Sequence, residues 1–231
     1  MANILCIETA TINCSVALTQ NNSVLAFKET NVKNSHAETV TVFIEELLAE
    51  NNIDLSWLNA VAVSKGPGSY TGLRIGVSTA KGLCYALDIP LLAVSTLKVL
   101  TSGIIKDFPA NEPVLFCPMI DARRMEVYSA VYNIRFEQLR EIKAEIINKY
   151  SFQDLLDKGR IVFLGDGSLK CREVIDHPNA VFSDHIYPSS SHMAVLAYEA
   201  SIKNNFEDKA YFEPYYLKDF VPGIPKVKGL I

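Results

Sequence analysis

Residues 66–76 of this 231-residue chain read Gly66-Pro67-Gly68-Ser69-Tyr70-Thr71-Gly72-Leu73-Arg74-Ile75-Gly76. An apolar strand, Ala60–Ser64, leads into this turn, and a helix is predicted from the turn to about Leu87. Gly-rich turns that open a helix can hold phosphate on free N–H groups. This stretch, however, lacks the lysine and hydroxyl of a P-loop, the glycine spacing of a dinucleotide fingerprint and the serine of a nucleophile elbow. Stretch 66–76 is therefore not a P-loop, a dinucleotide-binding fingerprint or a nucleophile elbow.

The helix after the turn carries small residues on one face, because Gly72, Gly76 and Ala80 follow at intervals of four. A glycine inside a helix costs about 1 kcal/mol relative to alanine, so the row predicts close approach of another backbone. That backbone belongs either to the chain's own sheet or to a helix of a partner. Both contacts can exist together, because the helix can pack on the sheet with one face and on a partner with the other. On the second interpretation, Gly76→Leu blocks assembly and leaves the monomer folded. The predicted partner interface comprises His36, Val40, Phe43, Tyr70, Gly72, Leu73, Arg74, Gly76, Val77 and Ala80.

Element order predicts an internal duplication. Three alternating strands precede a helix at 36–50, whose start Ser35-His36-Ala37-Glu38 has the pattern of a capping box. With the strands and helices around the Gly-rich turn, the first half reads βββαβαβα, and the same order returns from Pro113. Both halves open with an apolar strand that ends in an acid, Glu8 or Asp121. We expect an α/β fold with an N-terminal lobe at 1–106, a C-terminal lobe at 107–220 and a flexible tail at 221–231, with the last helix, about 192–204, packing back on the first lobe.

Composition limits the function. The formal net charge is −4 with 49% hydrophobic residues, and a basic stripe for direct nucleic-acid binding is absent. No window reaches the apolar length of a membrane span, and the start does not resemble a signal peptide. The five cysteines contain no C-x-x-C pair, so we expect reduced thiols and a cytoplasmic location. The four histidines show no H-E-x-x-H and predict no metal site, while Asp121-Ala122-Arg123-Arg124 is either a solvated turn or an anion site.

The motifs together resemble the TsaB (YeaZ) family of bacterial tRNA threonylcarbamoyladenosine biosynthesis proteins. Stretch 66–76 carries most of the similarity. The supporting motifs are Ile7-Glu8-Thr9-Ala10, Cys14-Ser15-Val16-Ala17-Leu18, Ser35-His36-Ala37-Glu38, Ala80-Lys81-Gly82-Leu83, Asp121-Ala122-Arg123-Arg124-Met125-Glu126-Val127-Tyr128 and Pro214-Tyr215-Tyr216-Leu217-Lys218. One departure is Glu8, where TsaB relatives often have Asp.

The resemblance implies the duplicated actin-like ATPase (ASKHA, RNase H-like) fold and a non-catalytic role. TsaB-like proteins bind a paralogue, TsaD, which transfers threonylcarbamoyl to adenosine 37 of tRNA with the help of the ATPase TsaE. TsaD binds metal through H-x-x-x-H, where this chain has Thr96 and Leu100. The resemblance thus implies an accessory subunit that pairs with TsaD, self-pairs as a homodimer when TsaD is absent and meets tRNA only in the complex. It needs no cofactor of its own, although ATP or ADP can bind at the complex interface, and a weak nucleotide cleft would involve Glu8, Asp121, Gly165 and Gly167.

Two other functions stay open at this stage. A metal-dependent, glycoprotease-like peptidase is disfavoured by the missing histidine pair and by the lack of a nucleophile–base arrangement. A small-molecule kinase of the same fold is disfavoured because the first hairpin of each half is poor in glycine. Either activity in the isolated chain would contradict the accessory-subunit hypothesis.

Overall fold

Two five-stranded mixed sheets form the framework of the computed structural model, which describes residues 1–33 and 35–218. The first sheet has the order β3-β2-β1-β4-β5, and the second has the equivalent order β8-β7-β6-β9-β10. This repetition confirms the predicted duplication. The strands are β1 (Asn3–Glu8), β2 (Cys14–Gln20), β3 (Ser23–Thr30), β4 (Ala60–Ser64), β5 (Leu91–Val94), β6 (Val114–Asp121), β7 (Glu126–Asn133), β8 (Gln138–Ile146), β9 (Arg160–Leu164) and β10 (Ala180–Phe182).

Helices cover both faces of each sheet. They are α1 (His36–Glu50), α2 (Tyr70–Leu87), α3 (Thr96–Ile105), α4 (Gln153–Leu156), α5 (Asp166–Cys171) and α6 (Ala194–Ile202), with 3-10 turns at Leu55–Trp57 and Ser190–Met193. Side chains alternate along β1, so Leu5 and Ile7 pack under α1 and α2, whereas Ile4 and Cys6 pack against α6 on the opposite face. The outer surface formed by α1 and α2 therefore lies on the far side of the sheet from α6.

The last helix of each half packs on the sheet of the other half. Leu100 and Ile104 of α3 share a core cluster with Phe116 of β6, and Ala197 of α6 shares one with Leu92 of β5. The two halves are therefore interlocked by these two helices, which pack between the sheets. The predicted lobe boundary falls in the connection after α3, and the predicted tail at 221–231 lies outside the described residues.

Some local predictions differ from the structure. The capping box at α1 does not form, because the Ser35 hydroxyl donates to the Val32 carbonyl at 2.8 Å instead of accepting from the first turn. The helix predicted at 192–204 consists of a 3-10 turn followed by α6, and α6 ends at Ile202. Among the helices of residues 1–33 and 35–218, none combines the length and apolarity needed to cross a membrane.

Candidate functional site

The Gly-rich turn holds the start of α2 against the first hairpin. Ser69 accepts a hydrogen bond from the Gly72 N–H at 3.3 Å, and its own N–H donates to the Ala10 carbonyl at 2.7 Å. Thr9 Oγ1 donates to the Gly72 carbonyl at 2.8 Å. A methyl group at Gly72 or Gly76 would overlap Thr9. The predicted close approach of a backbone is therefore confirmed, and that backbone belongs to the same chain.

The residues predicted to contact a partner fall into two sets. Phe43 and Tyr70 are half-buried, and Arg74 is exposed. Gly76→Leu cannot leave the monomer unperturbed as expected from the sequence, because the new side chain would enter the space of Thr9. A partner of the folded chain reaches only the outer side of α1 and α2. The buried set, covered by the chain's own strands and loops, is His36, Val40, Gly72, Leu73, Gly76, Val77 and Ala80.

Glu8, at the end of β1, is fully buried. Its Oε1 accepts a hydrogen bond from the Ala10 N–H at 2.7 Å, whereas Oε2 has no hydrogen-bond partner among the described residues. Burial raises the pKa of Glu8 to about 7, although hydrogen bonds from Ala10 and Ser64 oppose the change. This carboxyl group therefore keeps its proton to a higher pH than an exposed glutamate does.

The second-half residues predicted for a nucleotide cleft mainly serve internal packing. Gly165 has φ +97°, a conformation that favours glycine, and Cβ atoms at Gly165 and Gly167 would overlap the end of β6. Asp121 accepts hydrogen bonds from the Arg123 N–H at 2.6 Å and from Lys170 Nζ at 2.7 Å. The two glycines thus let α5 begin close to β6, and Asp121 is held by its own hairpin and by α5.

A cavity of about 820 Å³ lies between the two halves, beside the start of α2. Its size is within the range of small-ligand sites, roughly 300–1,000 Å³. The first half contributes residues 10–12 and 67–72, and the second half contributes residues 120–123. Lys33, Arg123 and Lys218 line it, and Lys218 is paired with Glu126. Lys33, Arg123 and the N–H groups at the start of α2 could therefore hold a phosphate-bearing cofactor. Glu8 does not line this cavity.

The two positions at which the resemblance places metal-binding histidines are occupied by packed side chains. Thr96 Oγ1 lies 2.7 Å from Ser64 Oγ and accepts a hydrogen bond from the Gly66 N–H at 3.1 Å. Leu100 is fully buried in an apolar cluster with Phe116. Within residues 1–33 and 35–218, no three His, Cys, Asp or Glu side chains come together as metal ligands.

The outer side of α2 is the surface that sequence reasoning missed. Gly82 is exposed, and a Cβ added there would meet no atom within 4 Å. The cost of this helix-interior glycine is therefore not offset by packing within the chain. Tyr85 is 82% exposed one turn further, and Val42 of α1 is 45% exposed. The sequence signal that could have revealed this surface is Gly82, a glycine inside the helix that does not belong to the row of Gly72, Gly76 and Ala80.

The C-terminal segment from 206 to 218 runs along α2 and covers its first turns. Lys81 Nζ donates to the carbonyls of Ala210 and Phe212, each at 3.0 Å. Arg74 Nε donates to the Tyr216 hydroxyl at 3.2 Å, and the Arg74 guanidinium lies 4.3 Å from the centre of the Tyr70 ring. Surface at Tyr70 and Arg74 is therefore shared with the chain's own C-terminal segment, whereas Gly82 and Tyr85 remain open.

Sequence comparison identifies the family. The family model described as TsaD, tRNA N6-adenosine threonylcarbamoyltransferase, matches residues 28–221. The Bacillus subtilis tRNA threonylcarbamoyladenosine biosynthesis protein TsaB is 32% identical, with 75% of each chain covered. The Escherichia coli TsaB is 30% identical, with 94% of this chain and 95% of its own length covered. This chain belongs to the TsaB family and carries a TsaD-type domain.

Structural comparison agrees with the TsaB assignment. The YeaZ structure from Pseudomonas aeruginosa superposes with a TM-score of 0.82 at 26% identity, covering 94% of this chain and all of its own. A polyphosphate/ATP-glucomannokinase from Arthrobacter has a TM-score of 0.52 at 11% identity, over 88% of this chain and all of its own. The second likeness shows the fold alone. The duplicated actin-like fold expected of a TsaB-family chain is thereby confirmed.

Proposed function

We propose that this chain is a non-catalytic accessory subunit that binds and activates a TsaD-type enzyme in the threonylcarbamoylation of adenosine 37 of tRNA. Its TsaB-family relatives are named for the biosynthesis of this modified nucleoside. A role in tRNA threonylcarbamoyladenosine formation follows directly from that membership. The proposal adds that the partner is TsaD and that TsaE joins through the complex. It also adds that TsaD catalyses the reaction, whereas this chain binds and activates TsaD.

The accessory role is supported by the contents of the site. The TsaD family model describes a transferase, yet Thr96 and Leu100 stand where the resemblance expects its metal-binding histidines. Both side chains are fully buried, and Thr96 is hydrogen-bonded to Ser64 and Gly66. Neither position can supply the imidazole nitrogens that such a metal site requires. The chemistry is therefore assigned to the partner subunit.

The observation that carries the proposed interaction is Gly82. Gly72 and Gly76 are required by the contact with Thr9, but Gly82 has open space beyond its Cα. A glycine at an exposed helix position favours close approach of a second helix, as small side chains do at helix crossings. The neighbouring exposed residues on this face, Ser78 and Ala86, are also small. We assign the outer face of α1 and α2 to the helices of TsaD and, when TsaD is absent, to a second copy of the chain.

Charge supports indirect contact with tRNA. The chain has a formal net charge of −4, and the exposed side of α1 carries Glu38, Glu45 and Glu46. Such a surface repels phosphates, so the complex must supply the cations that hold tRNA. The location proposed from this role is the cytoplasm. We also propose that the chain has no cofactor of its own and that ATP or ADP binds at the complex interface; nucleotide titration of the chain alone and of the complex tests both statements.

The decisive experiment measures assembly and activity together. We expect size-exclusion chromatography with light scattering to show a complex between this chain and the TsaD of the same genome, and threonylcarbamoylation only in the mixture. Gly82→Arg should abolish the complex, because a long charged side chain fills the approach path of the second helix. Val195→Arg is the matched control, since Val195 is 43% exposed on α6, across the first sheet from α2.

Contrary outcomes are equally specific. A Gly82→Arg variant that binds TsaD as tightly as the Val195→Arg variant would remove the proposed interface. Threonylcarbamoylation, ATP hydrolysis or chelator-sensitive peptide cleavage by the chain alone would refute the non-catalytic role. Peptidase activity is worth measuring directly, because one Pseudomonas aeruginosa structure of this fold is described as similar to the peptidase YeaZ.

A further inference from the structure

A second cavity, of about 380 Å³, lies between the halves and shares no lining residue with the cavity beside α2. Ser95 and Lys98 at the start of α3, Tyr132 of β7 and the outer turns of α6 surround it. Its volume falls near the lower end of the range for small-ligand sites, roughly 300–1,000 Å³. The cavity is thus suited to a ligand smaller than a nucleotide.

Two buried hydroxyl groups on the wall of this cavity have no partner besides each other. Tyr132 has no exposed surface and Ser95 is 9% exposed, and their hydroxyls interact with each other but with no further group of the described chain. In such a pair one hydroxyl donates to the other, so one of the two protons is left without an acceptor. Buried polar groups are nearly always hydrogen-bonded, and leaving a buried donor without an acceptor is unfavourable. Burial raises the pKa of Tyr132 to about 12, although the hydrogen bond with Ser95 opposes the change, so the hydroxyl stays protonated and can donate a hydrogen bond to a ligand. Both residues are therefore candidates for ligand binding.

The start of α3 adds backbone donors at the same place. Ser95 is the N-cap of this ten-residue helix, but its side chain makes no capping hydrogen bond. The Thr96 N–H is used by the Gly66 carbonyl at 3.1 Å. The next N–H groups of the first turn, on Leu97 and Lys98, have no acceptor within the helix, as in every α-helix. Ser95 and Lys98 line the cavity, so an anion bound there would lie at the positive end of the α3 dipole.

The charge of the cavity lining differs from that of the chain. Three lysines line it, Lys65, Lys98 and Lys203, against one carboxylate, Glu199. Lys203 lies 3.8 Å from Glu199, whereas Lys65 and Lys98 form no ion pair with any described residue. Lys98 Nζ instead lies 5.9 Å from the centre of the Tyr132 ring. Two lysines without ion pairs, two hydroxyls that interact only with each other and a helix start therefore converge in a chain whose net charge is −4.

We propose that this cavity binds a small phosphate-bearing molecule through Lys65, Lys98, Ser95 and Tyr132. A tetrahedral phosphate offers acceptor oxygens in several directions, which suits donors that come from a helix start, two ammonium groups and two hydroxyls. Apolar residues such as Ile142 and Leu196 line the rest of the cavity and fit a small organic group on the phosphate. Because both halves contribute donors, the bound molecule would link the first sheet to β7. This inference does not depend on the proposed partner.

The test uses inorganic phosphate and glycerol phosphate as probes on the full chain, with binding followed by calorimetry and phosphorus NMR at constant ionic strength. We expect both to bind, and Lys98→Met to weaken binding about tenfold, the usual effect of losing a charged hydrogen bond. Lys149→Met is the matched control, because Lys149 Nζ lies 4.9 Å from the centre of the Tyr150 ring, outside this cavity. Tyr132→Phe should weaken binding but change stability in chloride only slightly, since the hydroxyl that it removes interacts with Ser95 alone.

Three results would overturn the site. One is the absence of binding at millimolar concentrations of either probe. Another is an equal loss of binding in Lys98→Met and Lys149→Met, which would show a general charge effect. The third is a loss in Lys33→Met alone, which would place the anion in the cavity beside α2. Thermal unfolding of each variant in chloride identifies any that fail to fold, and Tyr132→Phe then supplies the independent readout.

Discussion

Replacing Glu8 with Gln is expected to change how the stability of the chain depends on pH. Burial raises the pKa of Glu8 from 4.5 to about 7. The folded chain therefore holds this proton more tightly than the unfolded chain, and folding is favoured by the protonated carboxyl group. This contribution is complete below pH 4.5 and is lost as the pH rises through about 7. At 1.36 kcal/mol per pKa unit, the loss reaches about 3 kcal/mol by about pH 8.

Urea unfolding of the wild type and of Glu8→Gln between about pH 5 and pH 8 measures this effect. Gln is neutral throughout, and its carbonyl oxygen can still accept from the Ala10 N–H. We expect the free energy of unfolding of the variant to rise by about 2.5 kcal/mol relative to the wild type between about pH 5 and about pH 8, because part of the effect is already present at the lower pH. Taking the difference cancels other titrating groups, including His185 and His192. Glu45→Gln, at an exposed position on α1, is the control and should show a flat difference.

A difference between wild type and Glu8→Gln that does not vary with pH would refute the reasoning. It would mean that Glu8 is ionised in the folded chain at the same pH as in the unfolded chain. Its Oε2 would then need a hydrogen-bond donor that the described structure does not show. A wild-type stability that rose toward pH 8 relative to the variant would reverse the sign and point to a cation beside Glu8.

Three further predictions concern stability. Gly76→Leu should lower the free energy of unfolding by about 2 kcal/mol or more, because its side chain enters the space of Thr9; urea unfolding measures this, and an unchanged midpoint would contradict the packing. Gly82→Ala should raise the same quantity by about 1 kcal/mol, since its Cβ enters open space, and a loss would show a hidden contact. Burial, followed by the charge of His185, lowers the pKa of His192 from 6.5 to about 4, so stability is lost as the pH falls through this range. His192→Gln should therefore shift acid unfolding to lower pH, and an unshifted midpoint would contradict this role.

Much of the fold could be predicted from patterns that are local in the sequence. The alternating strands, the helix at 36–50 and the helix that follows the Gly-rich turn are all present, because burial on one face imposes a period of two or 3.6 residues. The repeated element order predicted the duplication, and the two equivalent sheet orders confirm it. The prediction of a capping box was wrong because the Ser35 hydroxyl donates a hydrogen bond to the Val32 carbonyl instead. The sequence pattern does not show that this second acceptor lies within reach.

The candidate site was less predictable. The spacing of Gly72 and Gly76 indicated a close neighbour but could not identify it, and in the structure the neighbour is Thr9. The outer surface at Gly82 was missed because a single exposed glycine has no partner in the sequence pattern. The cavity at Ser95 and Tyr132 was also missed, since these residues come from different halves and meet only when the halves interlock.

The fold class, the duplication and the TsaB family could be predicted from the amino-acid sequence, because each depends on periodicity or on contiguous motifs such as 66–76. Which side of α2 faces the chain's own hairpin and which side is open became known only from the folded chain. It alone showed that α3 and α6 pack on each other's sheets and that Lys98 faces the same cavity as Tyr132. The physical reason is that helix and strand periods specify which residues share a face, whereas the neighbour of that face is chosen by packing between segments far apart in the chain.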